Sequence, residues 1–449
     1  MTSGSKRFEA DGTMDIAVIG SGIAGLSAAW LLSTRHRVSL FEASKRLGGH
    51  SNTVDVAGMP VDTGFIVYNE ATYPNLTALF DHLGVRTKAS DMSFAVSLDS
   101  GRLEYSGTGL GGLLAQPTNV GRLRFWRMLR ELLRFYREAP HDIARVGEIS
   151  LAEYLDAKGY GAAFREDHLY PMAAAIWSTP ALEVGSYPAA AFIRFCENHG
   201  LLKLAGRPVW RTVDGGSRKY VERLARSIAG RAFRGCAVRS IARRGGSAWL
   251  TDCEGIEHRF DHVVVATHAD QALRMLADPS QDEARLLGSF GYSRNKAVLH
   301  SDPRLMPRRK RAWSSWNYLT ETQGETRGLS VTYWMNRLQS LPEDQQLFVT
   351  LNPVVEPEDN TVRHREIYEH PVFDAAAMRA QRQLWSLQGV RNTWFCGAYF
   401  GAGFHEDGLQ SGLAVAEALG GVRRPWSVAN ESSRIHIGDA GARRALAAA

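Results

Sequence analysis

A short glycine-rich turn near the start of the chain restricts the fold more than any other feature. The motif Gly20-Ser21-Gly22-Ile23-Ala24-Gly25 lies between an apolar strand predicted at Asp15–Ile19 and an amphipathic helix predicted at Ile23–Leu32. Gly20 permits a tight turn, Gly22 lets the backbone approach a diphosphate, and Gly25 lets the helix pack closely on the strand. The N–H groups and the positive dipole at the helix N-terminus favour an anion. The motif therefore predicts a parallel βαβ unit that binds a dinucleotide.

Residues that follow this unit favour FAD over a nicotinamide dinucleotide. Glu42 ends the second predicted strand, 22 residues after Gly20, where its carboxylate can accept hydrogen bonds from a ribose diol. The run Lys45-Arg46-Leu47-Gly48-Gly49 comes next and can wrap the ribose and the diphosphate from the other side. The segment Gly58-Met59-Pro60-Val61-Asp62-Thr63-Gly64 is typical of a short hairpin that returns to the cofactor.

The C-terminal part of the chain supplies a second helix start. A strand predicted at residues 393–396 ends in Gly397, and a helix begins within the segment from Gly403 to Gly412. The N-terminus of this helix could stabilise negative charge at N1 and O2 of a flavin. Cys396 lies directly before Gly397.

These motifs occur in the order found in the FAD-dependent amine oxidase and phytoene desaturase superfamily, which the chain resembles over nearly its full length. The resemblance places Val238 at the adenine end and Ala266 on a second strand that passes the nucleotide. His50 departs from the pattern, because many members carry a second arginine there. Cys396 lies away from the place where covalent members carry their cysteine, so the resemblance implies that FAD binds non-covalently. Motifs and resemblance together assign the FAD contacts to Gly20, Gly22, Ile23, Ala24, Gly25, Glu42, Ala43, Arg46, Gly48, Gly49, His50, Thr63, Gly64, Phe65, Val238, Ala266, Gly397, Gly408 and Leu409.

The resemblance also implies the fold class and the domain order. We expect an α/β fold in which a Rossmann-like FAD-binding domain, with three layers and a mostly parallel sheet, is interleaved with an α+β substrate domain, as in amine oxidases. The FAD-binding domain is predicted at residues 14–75, 206–290 and 391–422, and the substrate domain at residues 76–205 and 291–390. Residues 1–13 are predicted to be a disordered leader, and residues 423–449 a loosely ordered tail.

Several short sequence segments resemble those of a narrower bacterial group of proteins. They include Ala175-Ile176-Trp177-Ser178, Ala297-Val298-Leu299-His300-Ser301-Asp302 and Trp313-Ser314-Ser315-Trp316-Asn317-Tyr318. The group consists of FAD-binding oxidoreductases linked with cyclopropane and methyl fatty acid synthases, some of them methyl fatty acyl desaturases of furan fatty acid synthesis. The resemblance implies a lipid acyl chain as substrate.

Three residues are candidates for the chemistry beside the flavin. Lys296 matches a lysine that holds a water near flavin N5 in many amine oxidases, or is an exposed lysine at the start of a strand. His405 could take up a proton near neutral pH, or could belong with Asp407 to a helix cap. Tyr399 lies close to the position of an aromatic cage in amine oxidases, or packs in the core, and the same two interpretations hold for Tyr68, Trp177, Trp316, Tyr318 and Phe400.

A helix predicted from Arg122 to Glu138 has an apolar side and a side rich in arginine. Such a helix covers the protein's own core or faces a phospholipid surface with its arginines on the headgroups. The net charge of +6 is mild and does not indicate nucleic acid. The four cysteines show no metal-type clustering, so no metal site is predicted. We expect a cytoplasmic protein that can work at the inner face of the membrane, and the sequence is compatible with a homodimer.

Three functions remain open from the sequence. The first is an FAD-dependent desaturase of a methyl-branched acyl chain with dioxygen as the reoxidant, and the second is an amine oxidase that releases hydrogen peroxide. The third is a flavin-bearing scaffold that binds lipid or a partner enzyme without turnover. The fold alone does not choose among them.

Overall fold

A computed structural model describes residues 12–143, 145–147, 149–177, 184–198, 200–203, 206–323 and 326–438. The leader predicted at residues 1–13 therefore lies almost wholly outside the described residues, as do residues 178–183. The strands of the two main sheets come from alternating stretches of the chain. The predicted domain boundaries stay a prediction.

A parallel sheet of five strands carries the glycine-rich turn. In spatial order its strands are Ala232–Arg234, Arg37–Glu42, Asp15–Ile19, His262–Val265 and Thr393–Phe395. All neighbours in this sheet run parallel. The central strands are apolar on both faces because both faces are covered. Parallel pairing also brings the carboxyl ends of the strands, with Gly20 and Glu42, to one edge of the sheet.

Two layers cover the parallel sheet. On one face, Ile16, Val18 and Val264 pack with helix α1 (Ile23–Leu32) and with the C-terminal helix His405–Gly420. On the other face, Ala17 and Val263 pack against an antiparallel sheet of three strands, Ser240–Arg244, Ser247–Thr251 and Glu257–Phe260. The side chains of each central strand thus alternate between the two layers. The predicted three-layer arrangement is confirmed.

A mixed sheet of seven strands forms the second body of the fold. Its spatial order is Val362–Val372, Gly291–His300, Phe348–Leu351, Thr326–Trp334, Trp316–Gln323, Phe94–Leu98 and Leu103–Ser106. The pair Trp316–Gln323 and Phe94–Leu98 is parallel and the other pairs are antiparallel. Buried side chains of one face pack with the helices between residues 110 and 198 in a single core.

Shorter elements complete the chain. The strands Thr53–Val56 and Met59–Asp62 form a hairpin, and Tyr68–Asn69, Trp210–Val213 and Thr87–Ser90 form a small sheet. The remaining helices are Pro74–Leu83, Leu110–Leu113, Leu123–Asp142, Leu151–Ala157, Ala162–Phe164, Tyr170–Trp177, Ala189–Asn198, Arg218–Ala225, Ala269–Met275, Gln281–Leu287, Met335–Leu338 and Ala375–Gln381. Among the described helices, none combines the length and the apolar character needed to cross a bilayer.

The tail is held more firmly than the sequence predicts. The guanidinium of Arg424 is buried and bonds Glu417 at 2.8 Å, and Arg434 forms an ion pair with buried Asp407 at 2.6 Å. The ring of Trp426 stacks on Trp30. The prediction of a loosely ordered tail is therefore wrong for residues 423–438, because these long-range partners are not visible in a linear sequence. Residues 439–449 lie outside the described part.

Candidate active site

One cavity of about 1480 Å³ reaches from the carboxyl edge of the parallel sheet to the seven-stranded sheet. Most of the predicted FAD contacts line it: Gly20, Gly22, Ile23, Ala24, Glu42, Ala43, Gly49, His50, Thr63, Gly64, Phe65, Val238, Ala266, Gly397 and Gly408. Gly25, Arg46, Gly48, Leu409 and Lys296 are not part of the lining. Gly25 instead packs against Gly20 and Ala266, and Leu409 is buried in the layer formed by α1 and the C-terminal helix. Arg46 donates to the Gly49 carbonyl at 2.7 Å.

The glycine-rich turn forms a cradle that fits a diphosphate. Gly20 has a φ of +98°, and a Cβ atom there would lie 2.8 Å from the Ala266 carbonyl oxygen. A Cβ atom on Gly25 would lie 1.9 Å from the Gly20 carbonyl oxygen, so both glycines are needed for the turn itself. At Gly22 a Cβ atom would meet nothing within 4 Å. This open space faces the first turn of α1, which contains no acidic residue, and is suited to an anion.

Glu42 lies at the end of its strand and is oriented by the glycine-rich turn. Its Oε2 accepts from the Ser21 N–H at 2.8 Å and from the Ser21 hydroxyl at 2.5 Å, and its Oε1 accepts from the Ser44 N–H at 2.8 Å. A carboxylate has about four acceptor sites, so it can also bind a ribose diol from the cavity side.

We expect a Glu42→Ala variant to lose FAD affinity. Hydrogen bonds to a charged group contribute about 1.5–3 kcal/mol each, so removing this carboxylate should raise the dissociation constant by at least about tenfold. Equilibrium dialysis of FAD against the apoprotein measures the change. Glu257→Ala, which removes an exposed acid from the neighbouring sheet, is the matched control. Equal FAD affinity in both variants would contradict the role assigned to Glu42.

The second glycine pair approaches the first one closely. The Gly48 N–H donates to the Ser21 carbonyl at 3.0 Å, and a Cβ atom on Gly49 would lie 3.1 Å from the Gly22 Cα atom. His50 follows and is partly buried against Tyr368 and His370, with ring centroids 5.0 and 5.3 Å away. Its Nε2 atom has no hydrogen-bond partner among the described residues. Burial, followed by the proximity of His370, lowers the pKa of His50 well below its usual value. A neutral imidazole here can therefore bond to a polar edge of the cofactor.

The start of the C-terminal helix separates His405 from the two acids that follow it. His405 lines the cavity, stacks on Phe65 with ring centroids 3.8 Å apart, and has Nε2 2.6 Å from the Tyr220 hydroxyl. Burial lowers the pKa of His405 to about 3, so the ring is neutral at physiological pH. The expectation that His405 titrates near neutral pH is therefore wrong, because packing of the ring against Phe65 and Tyr220 disfavours its charged form.

Both acids after His405 stabilise the fold. Glu406 accepts from the N–H groups of Asn75 and Leu76 at 3.0 Å each, which caps the helix Pro74–Leu83. Asp407 accepts from the Phe404 N–H at 2.7 Å and pairs with Arg434. Asp407 therefore lies at the third helical position and reaches back to the helix start, so the helix-cap interpretation agrees with the structure for this residue. Neither carboxylate is available as a base for a substrate.

Tyr399 lines the cavity and is fully buried. Its ring packs against Phe290 and Phe400, and its hydroxyl has no partner among the described residues. Burial raises the pKa of this phenol well above its usual value, so it stays protonated and can donate to a ligand. Tyr399 thus combines the packing role with a free donor directed at the site. Trp316 also lines the cavity and has an unpartnered indole N–H, whereas Tyr68, Tyr318 and Phe400 are core residues outside the lining.

The structure does not bring Lys296 to the cavity. Its ammonium bonds Glu356 at 2.6 Å, and its register partner Ile367 is exposed. Side chains alternate along a strand, so the neighbouring Asn295 points to the opposite face, where it bonds His370 at 2.9 Å. The predicted catalytic role of Lys296 is wrong on this register, and the exposed-lysine interpretation agrees with the structure.

Sequence analysis missed the contribution of the strand Val362–Val372 to the site. Tyr368 and His370 line the cavity, and the Tyr368 hydroxyl lies 2.7 Å from the Thr63 hydroxyl and accepts from the Asn52 amide at 3.1 Å. Alternation of His364, Glu366, Tyr368 and His370 is the only signal in the sequence, and it does not tell which face meets the cofactor.

The far arm of the cavity is largely apolar. It is lined by Met92, Phe94, Leu113, Leu129, Leu132, Leu133, Tyr136, Met172, Leu201, Trp316, Tyr333 and Leu351. His168 is its buried imidazole, with ring nitrogens 3.0 Å from the Tyr105 hydroxyl and 3.3 Å from the Tyr136 hydroxyl. Burial lowers the pKa of His168 to about 4, so it is neutral. Asp91, which also lines the cavity, is bound by Ser93, Ser315 and Arg337. These polar groups bond one another, and the remaining charged group of the described lining near His168 and Tyr136 is the exposed guanidinium of Arg207. The rest of the arm presents a surface suited to hydrocarbon.

Comparisons with known proteins agree with this arrangement. The sequence profile described as flavin containing amine oxidoreductase matches residues 23–420. A putative flavin-containing monoamine oxidase of Mycobacterium tuberculosis is 29% identical over 278 residues, and the match covers 60% of each chain, so the chain spans about three fifths of that relative.

Solved structures share the fold at low identity. A putative protoporphyrinogen oxidase from Exiguobacterium has a TM-score of 0.65 and 16% identity, and the match covers 91% of this chain and 98% of that one. A conjugated-linoleic-acid-producing fatty acid isomerase from P. acnes has a TM-score of 0.61 and 17% identity, with 89% and 97% covered. Together with the profile, these structures confirm the predicted fold class.

Proposed function

Because the chain belongs to the family of flavin-containing amine oxidoreductases and its cofactor is FAD, we propose that it desaturates a methyl-branched acyl chain of a membrane phospholipid. The apolar arm that opens from the FAD cradle carries this proposal. The resemblance of several short sequence segments to those of enzymes of methyl fatty acid metabolism supports the proposal. A fold neighbour that is described as a fatty acid isomerase is compatible with a fatty acyl substrate and supports the proposal.

The proposed reaction removes two hydrogens from adjacent carbons of the chain. When bound, FAD supplies a two-electron acceptor that takes a hydride, and dioxygen reoxidises it and becomes hydrogen peroxide. One C–H bond breaks with loss of that hydride, a second breaks with loss of a proton, and the electron pair of the second bond forms the new double bond. A methyl-branched monounsaturated chain has an allylic C–H bond of lowered strength, so the product is a diene.

The residues of this chain position the acyl group and receive the proton. The apolar side chains of the far arm exclude water and hold the chain extended toward the cradle. Neutral His405 lines the cavity, and because its pKa is lowered to about 3 it can hold the proton only transiently before passing it on to solvent. Its Nε2 contact with Tyr220, which also bonds Ser51, offers a route by which that proton is shared. Tyr399 and His50 contribute neutral hydrogen-bonding groups, which add no charge to the site.

Amine oxidation is the second candidate, favoured by the Mycobacterium tuberculosis relative. A protonated amine would need an available carboxylate, and Asp91 is already bound to Arg337 and two serines. Glu369, another acid of the lining, faces His268 at 3.4 Å. The electrostatics of the described lining therefore favour a neutral hydrocarbon over a cation.

Anaerobic mixing of the FAD-loaded protein with detergent-dispersed lipid tests the proposal. A methyl-branched monounsaturated phospholipid is expected to bleach the flavin absorbance, and polyamines and monoamines are expected to leave it unchanged. A Leu129→Glu variant places a charge in the apolar arm and should lose the lipid response while it keeps FAD and reduction by dithionite. Ile256→Glu, at a half-exposed position on another face, should respond like the wild type. Bleaching by an amine and not by the lipid would overturn the proposal.

A further inference from the structure

Large apolar side chains are exposed just before and along the helix Leu123–Asp142, here called α2. Leu110 is 79% exposed, Val120 54% and Leu123 64%, and Trp126 and Leu133 are about half exposed. The indole of Trp126 donates to the Val120 carbonyl at 2.8 Å, which keeps the two side by side. Single exposed apolar residues are ordinary, whereas a run of this kind on one element marks an interaction surface.

This apolar surface continues into the cavity. Leu133 is half exposed and also lines the cavity, and Val209 does the same at 65% exposure. Leu129, one helical turn before Leu133, and the adjacent Leu132 line the interior of the apolar arm. The cavity therefore opens to the exterior between α2 and the segment around Val209, through apolar side chains.

Arginines without a carboxylate partner flank the apolar residues of α2. In the described part of the chain, the arginines of this helix that form ion pairs are Arg124, Arg134 and Arg137. Arg127 and Arg130 are exposed and have no such partner there. At 100° per residue they lie on the same outward side of the helix as Leu123 and Trp126. We define the mouth surface as Leu110, Val120, Leu123, Trp126, Leu133 and Val209 together with Arg127 and Arg130.

We infer that the mouth surface docks on an anionic phospholipid bilayer, so that an acyl chain can pass from the membrane into the cavity. The identification of an acyl chain as the molecule that enters the cavity rests on the proposed function, whereas the docking rests on the residues of the mouth surface. Apolar side chains of this kind enter the boundary between headgroups and acyl chains, and unpaired arginines beside them bind lipid phosphates. A second copy of the chain would bring Arg127 and Arg130 near their own equivalents, which favours the anionic surface as the occupant.

Sedimentation of the full-length, FAD-loaded protein with lipid vesicles tests the docking. The protein should sediment with vesicles of phosphatidylcholine and phosphatidylglycerol in equal parts and far less with phosphatidylcholine alone, and added salt should release it. Each arginine near an anionic surface contributes about fivefold, so Arg127→Gln/Arg130→Gln should weaken binding on the order of 20-fold. Leu110→Ser/Leu123→Ser should weaken it through the apolar contribution. Arg226→Gln/Arg231→Gln, which removes two exposed arginines beside the parallel sheet, should bind like the wild type.

The outcomes separate docking from turnover. The docking would be overturned if the wild type failed to bind anionic vesicles or if the mouth-surface variants bound them equally well. A stable dimer that these variants dissociate would also overturn it. Turnover of detergent-dispersed lipid should be unchanged in Arg127→Gln/Arg130→Gln, and turnover of lipid in anionic vesicles should fall with its binding. Vesicle binding without turnover in either format would support the docking and contradict the proposed function.

Discussion

A Gly22→Val variant is expected to fold normally and to bind FAD at least on the order of 100-fold more weakly than the wild type. The backbone at Gly22, with φ of −63° and ψ of 177°, suits any residue, and a Cβ atom there meets no atom within 4 Å. The added side chain would instead fill the space in front of the first turn of α1. Loss of two hydrogen bonds to the diphosphate would cost about 3 kcal/mol or more.

Gly25, another glycine of the same turn, provides the matched control. A Cβ atom on Gly25 would lie 1.9 Å from the Gly20 carbonyl oxygen and 3.0 Å from the Ala266 side chain. Gly25→Ala should therefore lower the melting temperature of the apoprotein, whereas Gly22→Val should leave it near that of the wild type. Thermal unfolding of both apoproteins and FAD titration of each separate the two effects. Stoichiometric FAD in purified Gly22→Val would show that the diphosphate does not lie in this cradle.

The second large effect is expected at Arg243, which is 2% exposed at its side chain. It bonds Glu283, itself 3% exposed, at 2.8 and 3.0 Å, and Asp278 at 2.7 Å. Glu283 also caps its helix by accepting from the Ser280 N–H at 2.7 Å. Arg243→Ala would leave the Glu283 carboxylate buried without its cation, so we expect a loss of about 3–5 kcal/mol in the free energy of unfolding.

The adjacent arginine provides the control for Arg243. Arg244 pairs with Glu257 at 2.8 Å, and both side chains are about half exposed. Arg244→Ala should therefore cost about 1 kcal/mol or less. Urea unfolding of the two variants measures the difference. A double variant, Arg243→Met/Glu283→Leu, should recover most of the stability because it removes both charges together. Equal losses in Arg243→Ala and Arg244→Ala would contradict the importance of the buried pair.

The sequence predicts best what is local. The turn from Gly20 to Gly25 joins a strand to a helix within a dozen residues, and Glu42 ends the next strand, so their geometry follows from neighbouring residues. The order of these motifs was enough to identify the fold. The prediction of a catalytic role for Lys296 was wrong because a shift of one residue along a strand reverses the face of every side chain. The register itself depends on a partner strand far along the chain.

Other parts of the site depend on burial and on distant partners. The neutral state of His405 results from its packing with Phe65 and Tyr220, which come from separate parts of the sequence. The ordered tail depends on Arg434 meeting Asp407. The apolar arm collects side chains from the helix Leu123–Asp142 and from strands of the seven-stranded sheet. No local pattern shows that these residues line one cavity, and the structure was needed to join them to the FAD cradle.

We propose that a membrane acyl chain reaches the flavin through the apolar arm and leaves with one more double bond. Mass spectrometry of membrane lipids tests it most directly, in cells that produce the protein and in cells that produce Gly22→Val. Methyl-branched acyl chains lighter by two hydrogens are expected only in cells that produce the wild-type protein. Identical acyl-chain masses in both, in a host that supplies methyl-branched lipid, would contradict it.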